Sequence, residues 1–232
     1  MKAIFHRQGW HFLMLGVLVF LLQKFMSNQD LSYQARFLGM QTTSWFWLAV
    51  AVPIAHQIYV WLIWRLELHQ RTFTRSFGVE KTFSAYSFGF AVLFVGRLIL
   101  VIILALSDKY SLNVQPMYTF SIAALIAIPV IYLFYSVKMY FTFGRAFGID
   151  HFIEGYSEPY EKRGMFRYTS NGMYVFGLMV LYLPGLLLLS KLAFVVALFN
   201  HIYIWVHYYC TELPDMRLIY KELDIIEVKR ND

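Results

Sequence analysis

Two stretches carry the side chains able to do chemistry. They are Gly164-Met-Phe-Arg-Tyr-Thr-Ser-Asn-Gly-Met-Tyr174 and Glu212-Leu-Pro-Asp-Met-Arg-Leu-Ile-Tyr220, set in an otherwise apolar chain. Asn171 is a residue type preferred at helix N-caps, and Gly172 allows the tight turn that such a start needs. Free N–H groups at a helix start also hold anions. Arg167 and Arg163, just upstream, suit a ligand carboxylate. Glu212 has the opposite character. It follows 37 nearly uncharged residues, at the expected end of a helix, where the macrodipole disfavours an anion. A cation on a bound ligand would supply its partner. Tyr208 and Trp205, four and seven residues back, share that helical face and can wall a cation or an aromatic base. Plainer readings stand beside these: capping alone for Asn171, interfacial charge for Arg163, and a solvated pair with Lys221 or Arg217 for Glu212.

These stretches form one site only if the chain brings them together. A single helix across the gap would be about 57 Å long, nearly two hydrocarbon cores, so the chain must fold back. A break at Pro184-Gly185 leaves about 18 Å of helix before it, too short to cross. A break at Ser190-Lys191 leaves 17 residues before it (Met173–Leu189) and 20 after it (Leu192–Thr211). The turn is therefore expected at Ser190-Lys191, with Pro184 as a kink. Asn171 and Glu212 should then lie within about 15 Å of each other near one bilayer surface.

The rest of the chain reads as membrane spans. It is 59% hydrophobic and only 15% charged, against roughly 45–50% and 25% in soluble domains. Trp10–Met26, Ser44–Trp64, Phe83–Leu106 and Tyr118–Val137 are the first four spans, with Pro129 a further kink, giving six with the expected hairpin. Arg65 to Thr82 reads as a loop. Ser27 to Thr43 reads as a polar connector, and the residues from Lys221 as a loose tail or short surface helix. The first span lacks a small-residue cleavage site and is read as retained. The fold class is thus an all-α polytopic helix bundle. Residues 1–137 form a four-span part, 138–220 the site-bearing part and 221–232 a charged tail.

Charge sets the expected orientation. The N-terminus, the 65–82 and 138–172 segments and the tail together hold 15 Lys and Arg residues, the opposite side holds 4, and Arg97 lies within a span. The positive-inside rule then places both termini in the cytoplasm. The net charge of +6 is thereby explained without a nucleic-acid partner. His56, Arg97, Asn200 and His201 fall at similar depth within spans and are read as a structural polar cluster, although an intramembrane Arg is a functional candidate by default. His6, His11, His69, His151 and His207 lack metal-ligand spacing, so no metal is expected. Gly144 and Gly148 read as a surface bend rather than a phosphate loop. No Ser-His-Asp arrangement is present, and the one cysteine, Cys210, excludes an internal disulfide.

The segments Gly144-Arg-Ala-Phe-Gly-Ile-Asp150, Gly164-Met-Phe-Arg-Tyr168, Asn171-Gly-Met-Tyr174 and Glu212-Leu-Pro-Asp-Met-Arg-Leu-Ile-Tyr220 resemble the integral-membrane methyltransferases. This family includes isoprenylcysteine carboxyl methyltransferases and phosphatidylethanolamine N-methyltransferases. The Glu-x-Pro…Ile-Tyr segment, and an Asn before the turn, are similar to the phospholipid branch. The resemblance covers about 75 residues of the C-terminal part. It has Gly172 where proline is usual and Thr211 where a second glutamate is frequent. It implies S-adenosylmethionine as cofactor and S-adenosylhomocysteine as product, with Arg167, Tyr168, Asn171, Gly172, Met173, Tyr174, Tyr208, Glu212 and Pro214 binding it and Glu212 and Tyr174 catalytic. The implied acceptor is a membrane lipid, the amine of phosphatidylethanolamine or its methylated derivatives. The alternatives are a prenylated-peptide carboxylate or another lipid, and a non-catalytic lipid-binding protein with the same fold. The implied location is a bacterial inner membrane or the endoplasmic reticulum.

Overall fold

The computed structural model describes residues 2–29, 36–156 and 158–220; the expected tail from Lys221 and part of the 27–43 connector lie outside them. Helix α1 spans Gln8–Ser27, and a two-residue antiparallel ladder pairs β1 (Arg36–Phe37) with β2 (Met40–Gln41). Then come α2 (Thr42–Gln70), α3 (Thr74–Phe77), α4 (Val79–Ser107) and α5 (Pro116–Ser136), the last running into a π-turn at Val137–Phe141. Helix α6 (Phe143–Ala146) is short. The stretch that follows holds α7 (Gly172–Val175), a 3₁₀ segment (Gly177–Leu181) and α8 (Tyr182–Leu187). Helix α9 (Lys191–His207), a π-turn (Tyr208–Glu212) and α10 (Leu213–Ile219) end the described chain.

Five helical runs are long and apolar enough to cross a membrane: Gln8–Ser27, Thr42–Gln70, Val79–Ser107, Pro116–Phe141 and Lys191–Ile219. The chain is a multi-pass, all-α membrane protein. Its outer helices turn apolar residues outwards, Leu125, Ile128 and Ile131 of α5 each being about two-thirds exposed. That pattern suits a lipid solvent and not water.

Helix α9 is the axis of the core. It buries Ala193, Val196, Ala197 and Tyr203 against Phe46, Ala49 and Val50 of α2 and Val101, Leu104 and Ala105 of α4. Small residues set the close contacts: a Cβ on Gly185 of α8 would lie 2.9 Å from the Phe194 backbone nitrogen. Ser190 caps α9, its hydroxyl accepting from the Ala193 N–H at 3.1 Å. The Asp108 carboxylate then accepts from the Ser190 hydroxyl at 2.8 Å and the Leu192 N–H at 2.9 Å, tying this start to the loop after α4.

Three sequence expectations need correction. Arg65 is not a loop charge, because α2 runs on to Gln70 with Arg65 fully buried. Met173–Leu189 is not one kinked helix but three short pieces. Gly177, like Gly185, is pressed close to a neighbour, with a Cβ there lying 2.9 Å from the Leu133 side chain. Thr211 does not end the last helix, which continues through a π-turn to Ile219.

Candidate functional site

Pro214 determines the local architecture. Proline lacks an N–H and clashes with the carbonyl four residues back, here that of Cys210. The helix accommodates it by opening into a π-turn, where the Leu213 N–H reaches back to the Tyr208 carbonyl. Such insertions are frequent at functional sites. The freed carbonyls are taken up by side chains from the N-terminal part of the chain. Cys210 O accepts from Arg65 Nη2 at 3.0 Å and Gln8 Nε2 at 3.3 Å, and Tyr209 O accepts from Arg7 Nη1 at 3.5 Å. Gln8 also donates to the Thr211 hydroxyl at 3.1 Å. A hydrogen-bonded line runs on through His11 to the Tyr203 hydroxyl, 2.8 Å at each step.

Arg65 is the hub of this region. Its Nε lies 3.1 and 3.2 Å from the two Asp215 carboxylate oxygens, and its Nη1 donates to the carbonyls of Ala3, Ile4 and His6. His151 lies 3.8 Å from Asp215 through Nε2 and 2.8 Å from Asp150 through Nδ1. Tyr220 donates to the other Asp150 oxygen at 3.1 Å. Burial would raise the Asp150 carboxyl, but hydrogen bonds from His151 and Tyr220 outweigh it and hold the group below its ordinary value. The His151 ring stacks on Trp64 with centroids 4.0 Å apart.

Gly148 makes that stack possible. Its φ is +81°, and a Cβ there would overlap the Trp64 indole. Gly155, at φ +67°, has open space around its Cβ position. Gly155→Ala should therefore cost only left-handed strain, roughly 1–2 kcal/mol. Gly148→Ala should cost clearly more, on the order of 3 kcal/mol, by adding the displaced stack. Thermal unfolding of both variants in detergent checks this, and equal costs would mean that the close approach to Trp64 is not limiting.

Glu212 lies at the end of the π-turn and precedes the first residue of α10. The expected helix C-terminus, and the dipole argument built on it, therefore do not apply. Its carboxylate accepts a hydrogen bond from the Tyr174 hydroxyl. The Tyr174 ring meets Tyr208 at 5.6 Å and Trp205 at 6.0 Å, both edge-to-face, and Trp205 meets Tyr208 at 5.6 Å. Asp150 and Asp215 are close enough for their charges to act on Glu212, while no cation pairs with it among the described residues. The arrangement is a carboxylate hydrogen-bonded to the edge of a packed aromatic cluster, in a region where acidic groups outnumber Arg65. It is suited to a small organic cation.

The structure thus joins Tyr174, Tyr208 and Glu212 of the expected set, and gives Pro214 a role in shaping the turn. The others sit differently. Arg167 and Tyr168 are exposed on a 3₁₀ turn, with no hydrogen bond or ring contact to Glu212 among the described residues. Gly172 is buried, its Cβ position 3.2 Å from Leu133, and Met173 lines an apolar cavity between α4 and α5. Asn171 occupies the cap position of α7, but its side chain makes no cap hydrogen bond and α7 has four residues, too few for an anion-holding dipole. Arg163 is bound to Glu161 at 2.9 and 2.8 Å and lowers that carboxyl to about 2, so it is not a free ligand for a cofactor carboxylate.

Sequence reasoning missed Arg65, Asp215, Asp150 and His151. A signal for Arg65 was present, since no helix breaker stands between Trp64 and Arg71. Of the intramembrane polar residues, His56, Arg97 and Asn200 are buried, and His56 feels the Arg97 charge. His201 instead packs on Tyr182 at 5.8 Å. No protein-family model, curated protein or solved structure matches the chain.

Proposed function

We propose that the protein transfers a methyl group from S-adenosylmethionine to the amine of a membrane lipid, phosphatidylethanolamine or a methylated derivative. The observation that carries this reading is the Tyr174–Glu212 hydrogen bond at the edge of the packed Tyr174, Trp205 and Tyr208 rings. S-adenosylmethionine presents a methyl sulfonium and an ammonium, and this chain offers a carboxylate without a cationic partner among the described residues, beside an aromatic cluster. The residues present fit such a group. Glu212 would face one of its cationic centres, while Tyr208 and Trp205 would line the adenine or the sulfonium.

The chain's own contribution is positioning. The Tyr174 hydroxyl fixes the orientation of the Glu212 carboxylate. The Arg65–Asp215 pair and the carbonyl contacts made by Gln8 hold the π-turn that presents it. The methyl group leaves sulfur for nitrogen by in-line displacement, so alignment in a water-poor site supplies most of the rate. The acceptor ammonium must first lose its proton, and Glu212, or a water held by Tyr174, would take it. The acceptor lipid would enter sideways between helices.

In the same reading Gly172–Leu187 is a sixth, irregular crossing that forms a hairpin with α9 about Ser190. Its inner end packs on α5, the Cβ position of Gly172 lying 3.2 Å from the Leu133 side chain. Its outer end meets the loop after α4, where the Tyr110 N–H donates to Leu188 O at 3.1 Å. Both termini then lie in the cytoplasm, as the distribution of basic residues requires. A cysteine replacing Glu158, on a Cys210→Ser background, should react with an impermeant maleimide only after the cells are opened. Labelling of intact cells would reverse the orientation.

The function itself is tested by incubating membranes that contain the protein with S-adenosylmethionine carrying a labelled methyl group, then analysing total lipid by mass spectrometry. Label in the phosphatidylethanolamine series is expected. Label only in another lipid or a prenylated peptide would change the acceptor. No label, together with no cofactor binding by purified protein, would leave a lipid-binding protein without methyl-transfer activity.

A further inference from the structure

A second cavity, lined neither by Glu212 nor by the rings beside it, owes nothing to the methyl-transfer reading. Its volume is about 400 Å³, within the range of ligand sites, and it opens between α2, α3 and α4. Ile63, Phe73, Phe77 and Ala85 give it apolar walls, and Lys81 and Thr82 stand where α4 begins. The stacked rings of Tyr59 and Tyr86, 5.5 Å apart, lie about one turn deeper along the two helices. Phe77 is 65% exposed at the rim, while Thr82 is buried with a hydroxyl that has no partner among the described residues.

The charges around its mouth are mostly basic, and the buried Glu67 carboxylate beside it is taken up by the Phe73 and Thr74 N–H groups at 2.7 and 3.1 Å. Residues 71–82 contain Arg71, Arg75 and Lys81 against the single acid Glu80. None of these basic residues forms an ion pair among the described residues. From Lys81 an outward stripe continues along α4 through Ala85, Phe88 and Val92, the last two 74% and 55% exposed. Spacings of three and four residues keep these positions on one helical face. A basic mouth, an apolar pocket just inside it and an exposed apolar track leading away match the parts of one molecule: a phosphate, the upper part of an acyl chain and its tail.

We infer that this cavity binds an anionic phospholipid. Lys81, in the cavity lining, holds the phosphate. The buried Thr82 hydroxyl suits a glycerol ester carbonyl, and the chain enters between Ile63, Phe77 and Ala85. A neutral or zwitterionic lipid would leave the positive rim unmatched. A soluble anion would gain nothing from the apolar walls.

Native mass spectrometry of the full chain in detergent, titrated with phosphatidylglycerol and separately with phosphatidylcholine, tests the site. Wild type should bind phosphatidylglycerol about tenfold more tightly. Lys81→Gln should lower that preference about fivefold, the effect expected of one basic residue at an anionic membrane surface. Lys81→Glu should abolish it. Ala85→Trp, which fills the pocket, should reduce binding of both lipids, whereas Lys109→Glu, at the other end of α4, should change neither. Thermal unfolding identifies variants that fold, and Lys81→Gln alone is enough for the decision. Equal affinity of wild type for the two lipids overturns the inference. So does a preference that Lys81→Gln leaves undiminished.

Discussion

Glu212→Gln is expected to weaken binding of S-adenosylmethionine by roughly 30-fold to several-thousand-fold, the equivalent of about 2–5 kcal/mol for one partner of a buried charge pair. The substitution preserves shape and leaves an amide oxygen for the Tyr174 hydroxyl, so it isolates charge. S-adenosylhomocysteine, which keeps the ammonium but not the sulfonium, identifies the cation concerned. Equal losses for both ligands place Glu212 opposite the ammonium; a loss confined to S-adenosylmethionine places it opposite the sulfonium. Tyr174→Phe, which removes one hydrogen bond and keeps the ring, should cost only about 0.5–1.5 kcal/mol, up to about tenfold. Calorimetry on protein of unchanged thermal stability is the measurement. A change under threefold for Glu212→Gln with both ligands would mean that the carboxylate faces no cofactor cation.

Arg65→Met should be the most destabilising single substitution in the bundle. Arg65 is fully buried, with its guanidinium shared between Asp215 and the carbonyls of Ala3, Ile4, His6 and Cys210. Removing it strands the Asp215 carboxylate and unsatisfies the carbonyls together. Breaking a buried pair in this way costs about 3–5 kcal/mol. The double variant Arg65→Met with Asp215→Leu should recover a large part of that loss, since replacing both charges by apolar groups of similar volume is often close to neutral. Unfolding in detergent distinguishes these cases. A single-variant cost below about 1 kcal/mol would reduce Arg65 to the weight of a surface charge.

Apolar run length made α1, α2, α4 and α5 readable in the sequence, because a span needs about 20 apolar residues whatever surrounds it. The same rule failed at Met173–Leu189. There Gly177, Pro184 and Gly185 are placed by contacts with Leu133 and Phe194, and no local pattern announces distant contacts. The last helix was expected to end at Thr211, and Pro214 would end it near there if its freed carbonyls met only lipid. They meet Arg65, Gln8 and Arg7, so the helix continues. Arg65 was misread for the matching reason: a basic residue at the end of an apolar run resembles an interfacial charge until its acid, 150 positions later, is in place. Tyr208 and Glu212 stood out because their residue types suit a cation, and Tyr174 through the resemblance; the structure brings the three together. Arg167 suited a ligand carboxylate and Tyr168 came from the resemblance; the fold leaves both exposed, with no hydrogen bond or ring contact to Glu212 among the described residues.

The link between Arg65 and the π-turn also sets a timetable for biogenesis. At roughly 5–20 residues per second of synthesis, Asp215 follows Arg65 by about 8–30 seconds. Through that interval α1, α2, α4 and α5 can insert, but the guanidinium has no acid to receive it and must stay at the hydrated end of α2. Closure waits for the last helix, which draws Arg65 inward and clips the first residues of the chain to residues near its end. A nascent chain stopped before Asp215 would present an open bundle with a loose leading segment, the kind of species that quality-control proteases remove.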